Sequence, residues 1–138
     1  MLLSNLIHPQ ILGALAAAGH GSKVLIADGN YPISTATAAG ASLVYLNLTP
    51  GQLPVDDILI AIAGAVAVEA VEVMQPEVGE EPAIFSRFRE IVPGRELVRL
   101  DRASFYAAAR DQTLALAIAS GDQRHFANIL LTIGVAPE

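Results

Sequence analysis

Short apolar runs alternate with segments of helical periodicity along the whole chain. The runs at 23–27 and 114–119 are almost wholly apolar, which is typical of strands buried on both faces of a parallel sheet. Further strand-forming runs lie at 43–48, 66–74, 97–100 and 128–133. Helical patterns cover 9–18, 54–62, 80–92 and 102–111. This alternation predicts an α/β fold, with a mostly parallel central sheet flanked by helices in one layered domain over residues 1–138.

Residues at the ends of these segments support the predicted boundaries. Pro9 suits the first position of a helix, and Gly19 suits the position just after its end. Asp101 is a good N-cap for the helix that starts at Arg102. The small residues at 33–41 favour no regular element, so we expect mostly loop there.

The stretch 19–32 surrounds the first strand with polar residues that could do chemistry. Asp28 follows the strand, and the turn-forming residues at 29–32 indicate that the strand ends there. Ligands of open α/β sheets bind beyond the carboxyl ends of the strands, so Asp28 is a candidate ligand-binding residue. His20 precedes the same strand, and a straight strand at ~3.3 Å per residue would hold it far from Asp28. Either the loop folds back, or a neighbouring subunit brings the two groups together.

Two familiar motifs are excluded in this stretch. The glycines at 19 and 21 resemble a dinucleotide-binding fingerprint, but the third glycine is missing and the segment precedes a strand instead of following one. A phosphatase-type aspartate pair is also absent, because position 30 is Asn.

Composition limits the class of protein further. Of 138 residues, 53% are hydrophobic and 16% charged, so the chain can build a core and retains surplus apolar surface, which favours an oligomer. The longest apolar stretch, 58–68, is about half of the ~20 residues that a membrane span requires. The net charge of −6, without any basic run, argues against nucleic acid as a partner. The lack of cysteine and of a signal-peptide pattern favours the reducing cytoplasm.

Each candidate side chain also has a purely structural interpretation. The three histidines, at positions 8, 20 and 125, lack the i, i+4 spacing of helical metal ligands, so we expect no metal. His20 either bonds a backbone carbonyl or acts on a ligand that the flanking glycines allow to approach. Asp28 either caps its own loop or also accepts hydroxyl groups of a sugar or polyol. Arg102 is either a solvated charge or a donor aimed into a site.

Several motifs resemble those of the L-fucose mutarotase and D-ribose pyranase family. They are listed here in chain order: Gly19-His20-Gly21, Ala27 to Pro32, Asp101-Arg102 with Phe105-Tyr106, and Ser120-Gly121-Asp122 running to Ala127-Asn128-Ile129-Leu130. The similarity covers nearly the whole chain, and the motifs are specific only in combination. Arg102 is more similar to the fucose branch, which tends to have Arg where the ribose branch has His.

The resemblance implies the ribose pyranase/fucose mutarotase fold, in a ring-shaped homo-oligomer, commonly a decamer, with sites at subunit interfaces. It also implies interconversion of sugar ring forms without a cofactor. His20 would be the catalytic proton donor, and Asp28, Arg102 and Asn128 would contact the sugar. Histidine suits this chemistry, because it can accept or donate a proton near neutral pH.

One position departs from the family pattern. The family usually has Tyr where this chain has Phe126, which we place among the substrate-binding residues but which lacks a hydroxyl. His125 could replace the hydroxyl, but adjacent side chains of an extended segment point to opposite faces. Tyr31 and Tyr106 are further candidates, with less reason. We therefore expect either a monosaccharide mutarotase acting on fucose or a similar sugar, or a non-catalytic sugar-binding protein of the same fold. A purely structural oligomer is the third interpretation.

Overall fold

The computed structural model describes all 138 residues and contains six strands and four helices. In chain order the elements are α1 (Pro9–Ala17), β1 (Lys23–Ala27), β2 (Ser42–Tyr45), α2 (Val55–Ala63), β3 (Val68–Met74), α3 (Ile84–Ile91), β4 (Leu97–Leu100), α4 (Arg102–Ala109), β5 (Leu114–Ala119) and β6 (Ile129–Ile133). Every predicted element is present. None of the helices is both long enough and apolar enough to cross a bilayer.

Several predicted elements are shorter than expected, and a local reason accounts for three of them. Helix α3 begins at Ile84 instead of position 80, because a residue before proline, here Glu81, disfavours helical backbone. Strand β2 ends at Tyr45, opposite Ala119, where its partner β5 also ends. Strand β3 starts only at Val68, because the turn after α2 continues until the Val66 amide donates to the Ile62 carbonyl.

The strands form one sheet in the order β2-β5-β1-β6-β3-β4. The pairs β1–β5, β2–β5 and β3–β4 are parallel, whereas β6 runs antiparallel to both of its neighbours, β1 and β3. The predicted mostly parallel sheet is therefore confirmed, with β6 as its one reversed strand. Because β6 is reversed, its first residue lies at the edge of the sheet where β1 ends.

Helices cover the two faces of the sheet unequally. On one face, α1, α2 and α3 bury the larger core, which includes Ile11, Leu59 and Phe85 beside Val24 and Ile26 of β1. On the other face, α4 and the loop at 31–41 enclose a smaller core around Leu25 and Phe105. The loop prediction for 33–41 is correct, and this loop provides buried side chains as well as a connection.

Glu72 on β3 forms a largely buried ion pair across the sheet. Its carboxylate lies 2.6 Å from the Lys23 ammonium of β1, and both side chains are about four-fifths buried. The two strands are separated by β6, so the ion pair crosses a neighbouring strand on the face that carries α4. Alternation along β3 placed Glu72 on a polar face, but only the sheet order supplies its partner.

Candidate functional site

A cavity of about 350 Å³ opens at the carboxyl edge of the sheet, where sequence reasoning placed a ligand. It is lined by residues from four places in the chain: Asp28, Asn30 and Tyr31 after β1; Met74 at the end of β3; Arg102 and Tyr106 of α4; and His125, Phe126 and Asn128 before β6. Four of the five predicted site residues, Asp28, Arg102, Phe126 and Asn128, therefore share one cavity. The fifth, His20, is not part of it.

Asp28 and Asn128 form the buried floor of this cavity. The Asp28 backbone amide donates to Asn128 Oδ1 at 2.8 Å, and Asn128 Nδ2 donates to Asp28 Oδ2 at 3.1 Å. The reversed direction of β6 makes this possible, because Asn128 precedes β6 at the point where Asp28 follows β1. Both side chains are at most 5% exposed, so the pair presents a fixed carboxylate and a fixed amide.

The Asp28 carboxylate both shapes its loop and retains capacity for a ligand. Oδ1 accepts from the backbone amides of Asn30 at 2.9 Å and Tyr31 at 3.0 Å, an Asx-type turn. A carboxylate offers about four lone-pair positions, and the three bonds in the protein leave one. Burial raises the pKa of Asp28 above its ordinary value, although these hydrogen bonds and the one from Asn128 oppose that shift.

Arg102 reaches the cavity from the first turn of α4. The helix starts where it was predicted to, because Asp101 caps it by accepting the Ser104 amide at 2.7 Å. Arg102 itself is exposed and forms no ion pair within the chain, so its guanidinium faces the cavity as an uncommitted donor. It contributes positive charge beside the Asp28 carboxylate.

The two tyrosines of the cavity have different environments. The Tyr31 hydroxyl donates to the Ala36 carbonyl at 2.8 Å, and burial raises the pKa of this phenol well above its ordinary value. Tyr106 is half-buried, and its ring packs edge-on against Tyr31 with 5.1 Å between the ring centroids. Tyr31 is therefore committed to the structure of its own loop.

The loop that leads to Phe126 is anchored by a buried aspartate. Asp122 accepts from Arg124 Nε at 2.9 Å and Nη2 at 2.6 Å, and also from the Val55 amide at the start of α2 at 2.9 Å. Burial alone would raise the pKa of Asp122, but these hydrogen bonds outweigh it and hold that pKa below its ordinary value. Arg124 also bonds Asp56 at 2.7 Å, so the loop is tied to α2 twice.

The backbone at Phe126 is in an unusual conformation. Its φ of +61° lies in the left-handed region, which costs a residue with a side chain about 1–2 kcal/mol. The segment around it is therefore not extended, and His125 and Phe126 line the same cavity. Sequence reasoning, which assumed an extended segment, placed these neighbours on opposite faces, and that prediction was wrong.

His20 lies at the opposite edge of the sheet, at the amino end of β1. Its Nε2 is 2.7 Å from Glu69 Oε2, and both side chains are at least half exposed. Strand β1 alone spans ~16 Å at ~3.3 Å per residue, so His20 does not reach the cavity of its own chain. It also does not bond a neighbouring carbonyl, as its structural interpretation suggested.

The other histidines have separate environments. His8 caps α1, with its Nδ1 accepting the Ile11 amide at 3.3 Å, and it lies outside the cavity. His125 is exposed at the rim, where the first cavity meets a second, more polar cavity of about 520 Å³. No three His, Cys, Asp or Glu side chains lie close enough together to hold a metal ion.

Sequence reasoning did not assign a role to Asp122 or Arg124, although these residues determine the path of the 120–128 segment. The signal available was a run of turn-forming residues after a buried strand, which predicts a turn but not its anchor. The contact with α2 brings together positions 67 apart, which only the fold reveals.

The fold and cavity define an α/β protein whose small polar cavity presents a carboxylate, an amide and a guanidinium, groups suited to sugar or polyol hydroxyls. The chain matches the RbsD/FucU transport protein family over residues 1–136 and belongs to that family. The resemblance inferred from the motifs is therefore confirmed.

Solved structures of similar proteins share the fold over nearly the full length. RbsD of Bacillus subtilis, in complex with D-ribose, has a TM-score of 0.86 and 23% identity, covering 99% of this chain and 100% of that chain. The fucose mutarotase of Streptococcus pneumoniae, in complex with L-fucose, has a TM-score of 0.82 and 23% identity, covering 95% of both chains. FucU from Bifidobacterium longum has a TM-score of 0.80 and 26% identity, covering 95% and 96%. The predicted fold class is thereby confirmed.

Proposed function

We propose that the chain is a cytoplasmic monosaccharide mutarotase that interconverts the anomers or ring forms of fucose or a similar sugar. The observation that carries this proposal is the Asp28–Asn128 pair on the cavity floor, with Arg102 facing the same space. Similar folds bind D-ribose and L-fucose in the solved complexes. The whole chain, 1–138, would act as one mutarotase-like domain.

The chemistry requires only two proton transfers and no cofactor. A base removes the proton of the anomeric hydroxyl while an acid protonates the ring oxygen, and the bond between the anomeric carbon and the ring oxygen breaks. Rotation about the adjacent bond and the reverse steps give the other anomer. Positioned acid–base groups contribute ~10²–10⁴-fold, which is sufficient for a reaction that also proceeds in water.

His20 would supply one of these proton transfers in the cavity of a neighbouring subunit, because it is too far from its own. This requires a homo-oligomer with sites at subunit interfaces, such as a ring-shaped decamer. Apolar side chains left exposed on the single chain support such contacts, among them Leu3 at 103% and Leu48 at 82% exposure. Within this site Asp28, Arg102, Phe126 and Asn128 would contact the sugar.

Exchange NMR with catalytic amounts of protein tests this function on fucose, ribose, galactose and arabinose. We expect faster exchange between the anomers of one sugar, and His20→Ala should abolish the acceleration while the oligomer stays intact. Unchanged exchange in that variant would contradict the role of His20. If no sugar is exchanged faster and none shifts the melting temperature, the protein is a structural oligomer, since a ligand of the native state must stabilise it.

Phe126 supports one alternative, a non-catalytic monosaccharide-binding protein of the same fold. Its side chain lines the cavity and offers no hydroxyl to the ligand. Phe126→Tyr separates the two functions. A large gain in exchange rate favours the binding protein that lost turnover, whereas little gain favours the enzyme.

A further inference from the structure

His125 and Phe126 are consecutive residues whose side chains nevertheless line one cavity. The left-handed φ of +61° at Phe126 produces this arrangement by turning the chain between them. Both ends of the segment are held, by Arg124 on Asp122 and by Asn128 on Asp28. The position of His125 at the cavity is thus a consequence of an anchored backbone.

The geometry points to His125 as the second acid/base group of this site. The inference rests on the proposed mutarotase function and names a residue that this function leaves open. His125 would exchange a proton with one of the two reacting oxygens, the anomeric hydroxyl or the ring oxygen, while His20 of a neighbouring subunit serves the other. One proton leaves and one arrives, so no further reactant is needed.

Three other polar groups of the cavity are less suited to this proton transfer. The guanidinium of Arg102 is always protonated and only donates hydrogen bonds. The Tyr31 hydroxyl is committed to the Ala36 carbonyl, and three of the lone-pair positions of the Asp28 carboxylate are already occupied. An imidazole, by contrast, both accepts and donates a proton near neutral pH. The exposed position of His125 lets it return its proton to solvent after each turnover.

Charged and titratable groups face His125 from three elements. Asp28 follows β1, and Arg102 and Tyr106 lie on α4 across the first cavity. Asp122 lies in the same loop as His125 and lines the second cavity with it. The pH profile of the reaction therefore reflects this whole set of groups, and the His125 variants isolate the part that belongs to His125.

The test compares wild-type protein with His125→Gln and His125→Ala in kcat/KM for anomer exchange between pH 5 and 9. We expect kcat/KM to fall by ~10²-fold or more in both variants. We also expect the plot of kcat/KM against pH to lose one of its limbs in the neutral range. Sugar binding should change only a few-fold, because Asp28 and Asn128 remain. Gln123→Ala is the matched control, since this exposed residue of the same loop does not line the first cavity, and it should keep the wild-type profile.

The outcomes distinguish failure of the His125 assignment from failure of the proposed mutarotase function. If wild type accelerates exchange and both His125 variants keep its rate and profile, His125 is not an acid/base group, although the protein is still a mutarotase. If Tyr106→Phe removes the neutral-range limb of the pH profile and His125→Gln does not, Tyr106 is the second acid/base group. If wild type accelerates no sugar, the proposed function fails and the role of His125 fails with it. Thermal unfolding of each variant separates lost chemistry from lost folding.

Discussion

Asp28 and Asn128, which are 100 positions apart in the chain, exchange two hydrogen bonds at the floor of the cavity. The first satisfies the buried Asp28 amide, and the second holds the Asp28 carboxylate in one orientation. The pair therefore joins the end of β1 to the start of β6 and also fixes the only carboxylate that lines the cavity.

Replacement of Asn128 by Ala should destabilise the protein by about 2–4 kcal/mol. The variant leaves a buried backbone amide and a buried carboxylate oxygen without their partner, and each costs about 1–3 kcal/mol. Chemical denaturation at neutral pH measures the loss. Asn47→Ala is a control, because Asn47 is exposed and its side chain makes no hydrogen bond, and it should change the free energy of unfolding by less than about 0.5 kcal/mol. Equal effects of the two substitutions would contradict the structural role of Asn128.

The raised pKa of Asp28 predicts how stability varies with pH at this site. A carboxyl whose pKa is higher in the folded protein than its ordinary value of 3.8 binds its proton more tightly when folded. Its contribution to stability therefore falls as the pH rises from 3.8 through the raised value. Relative to wild type, Asp28→Asn should become more stable as the pH rises through this window and less stable as it falls.

Melting temperatures of wild type and Asp28→Asn, measured side by side from pH 3 to pH 7, test this dependence. The difference between the two proteins cancels the titration of all other carboxyl groups. A difference that is constant over the range, or that changes in the opposite direction, would contradict the raised pKa of Asp28. Sugar binding should be weakened in the variant at every pH, because the charged acceptor is gone.

The sequence predicted the strands, the helices and the carboxyl-edge position of Asp28, because apolar runs and turn residues are local signals. It could not predict that β6 is reversed, since the same apolar run suits either direction. The Asp28–Asn128 pair depends on that reversal. The left-handed backbone of Phe126 was also beyond the sequence, because aromatic residues rarely adopt it and the anchors that enforce it come from Asp122 and Asn128.

Replacement of Arg124 by Gln should cost about 1–3 kcal/mol and weaken sugar binding. It removes two donors from the buried Asp122 carboxylate and also the bond to Asp56, so the loop that carries His125 and Phe126 keeps only one of its two ties to α2. Arg89→Gln is the matched control, because its side chain is 43% exposed against 46% for Arg124, but its partner Glu81 is a surface carboxylate. A surface pair contributes at most about 1 kcal/mol.

The same variant should change the response to acid. In wild type the lowered pKa of Asp122 provides stability above its ordinary value of 3.8, and this stability is lost as the pH falls through the lower folded value. Without the Arg124 side chain, fewer hydrogen bonds oppose the effect of burial on the pKa of Asp122, so the variant should lose less stability between pH 5 and pH 2. Parallel pH profiles for wild type and Arg124→Gln in denaturation experiments would show that Arg124 does not control the titration of Asp122.

Subunit mixing tests whether His20 acts in the cavity of a neighbouring chain. His20→Ala and Asp28→Asn should each lack exchange activity as pure oligomers. In an oligomer refolded from both, an intact His20 from one chain can meet an intact Asp28 from another, so activity should return at some interfaces. His20 and Glu69 form only an exposed pair, so His20→Ala should fold with a melting temperature close to that of wild type.

A mixture of His20→Ala with the double variant His20→Ala/Asp28→Asn is the control, because no chain in it carries an intact His20. Recovery in the first mixture alone places the two residues on different subunits of one site. If the first mixture stays inactive while size-exclusion chromatography and mass spectrometry show mixed oligomers, His20 does not act across an interface. His20 does not reach the cavity of its own chain either, because β1 holds His20 and Asp28 at opposite edges of the sheet. That result would therefore assign the reaction to the groups that line the cavity.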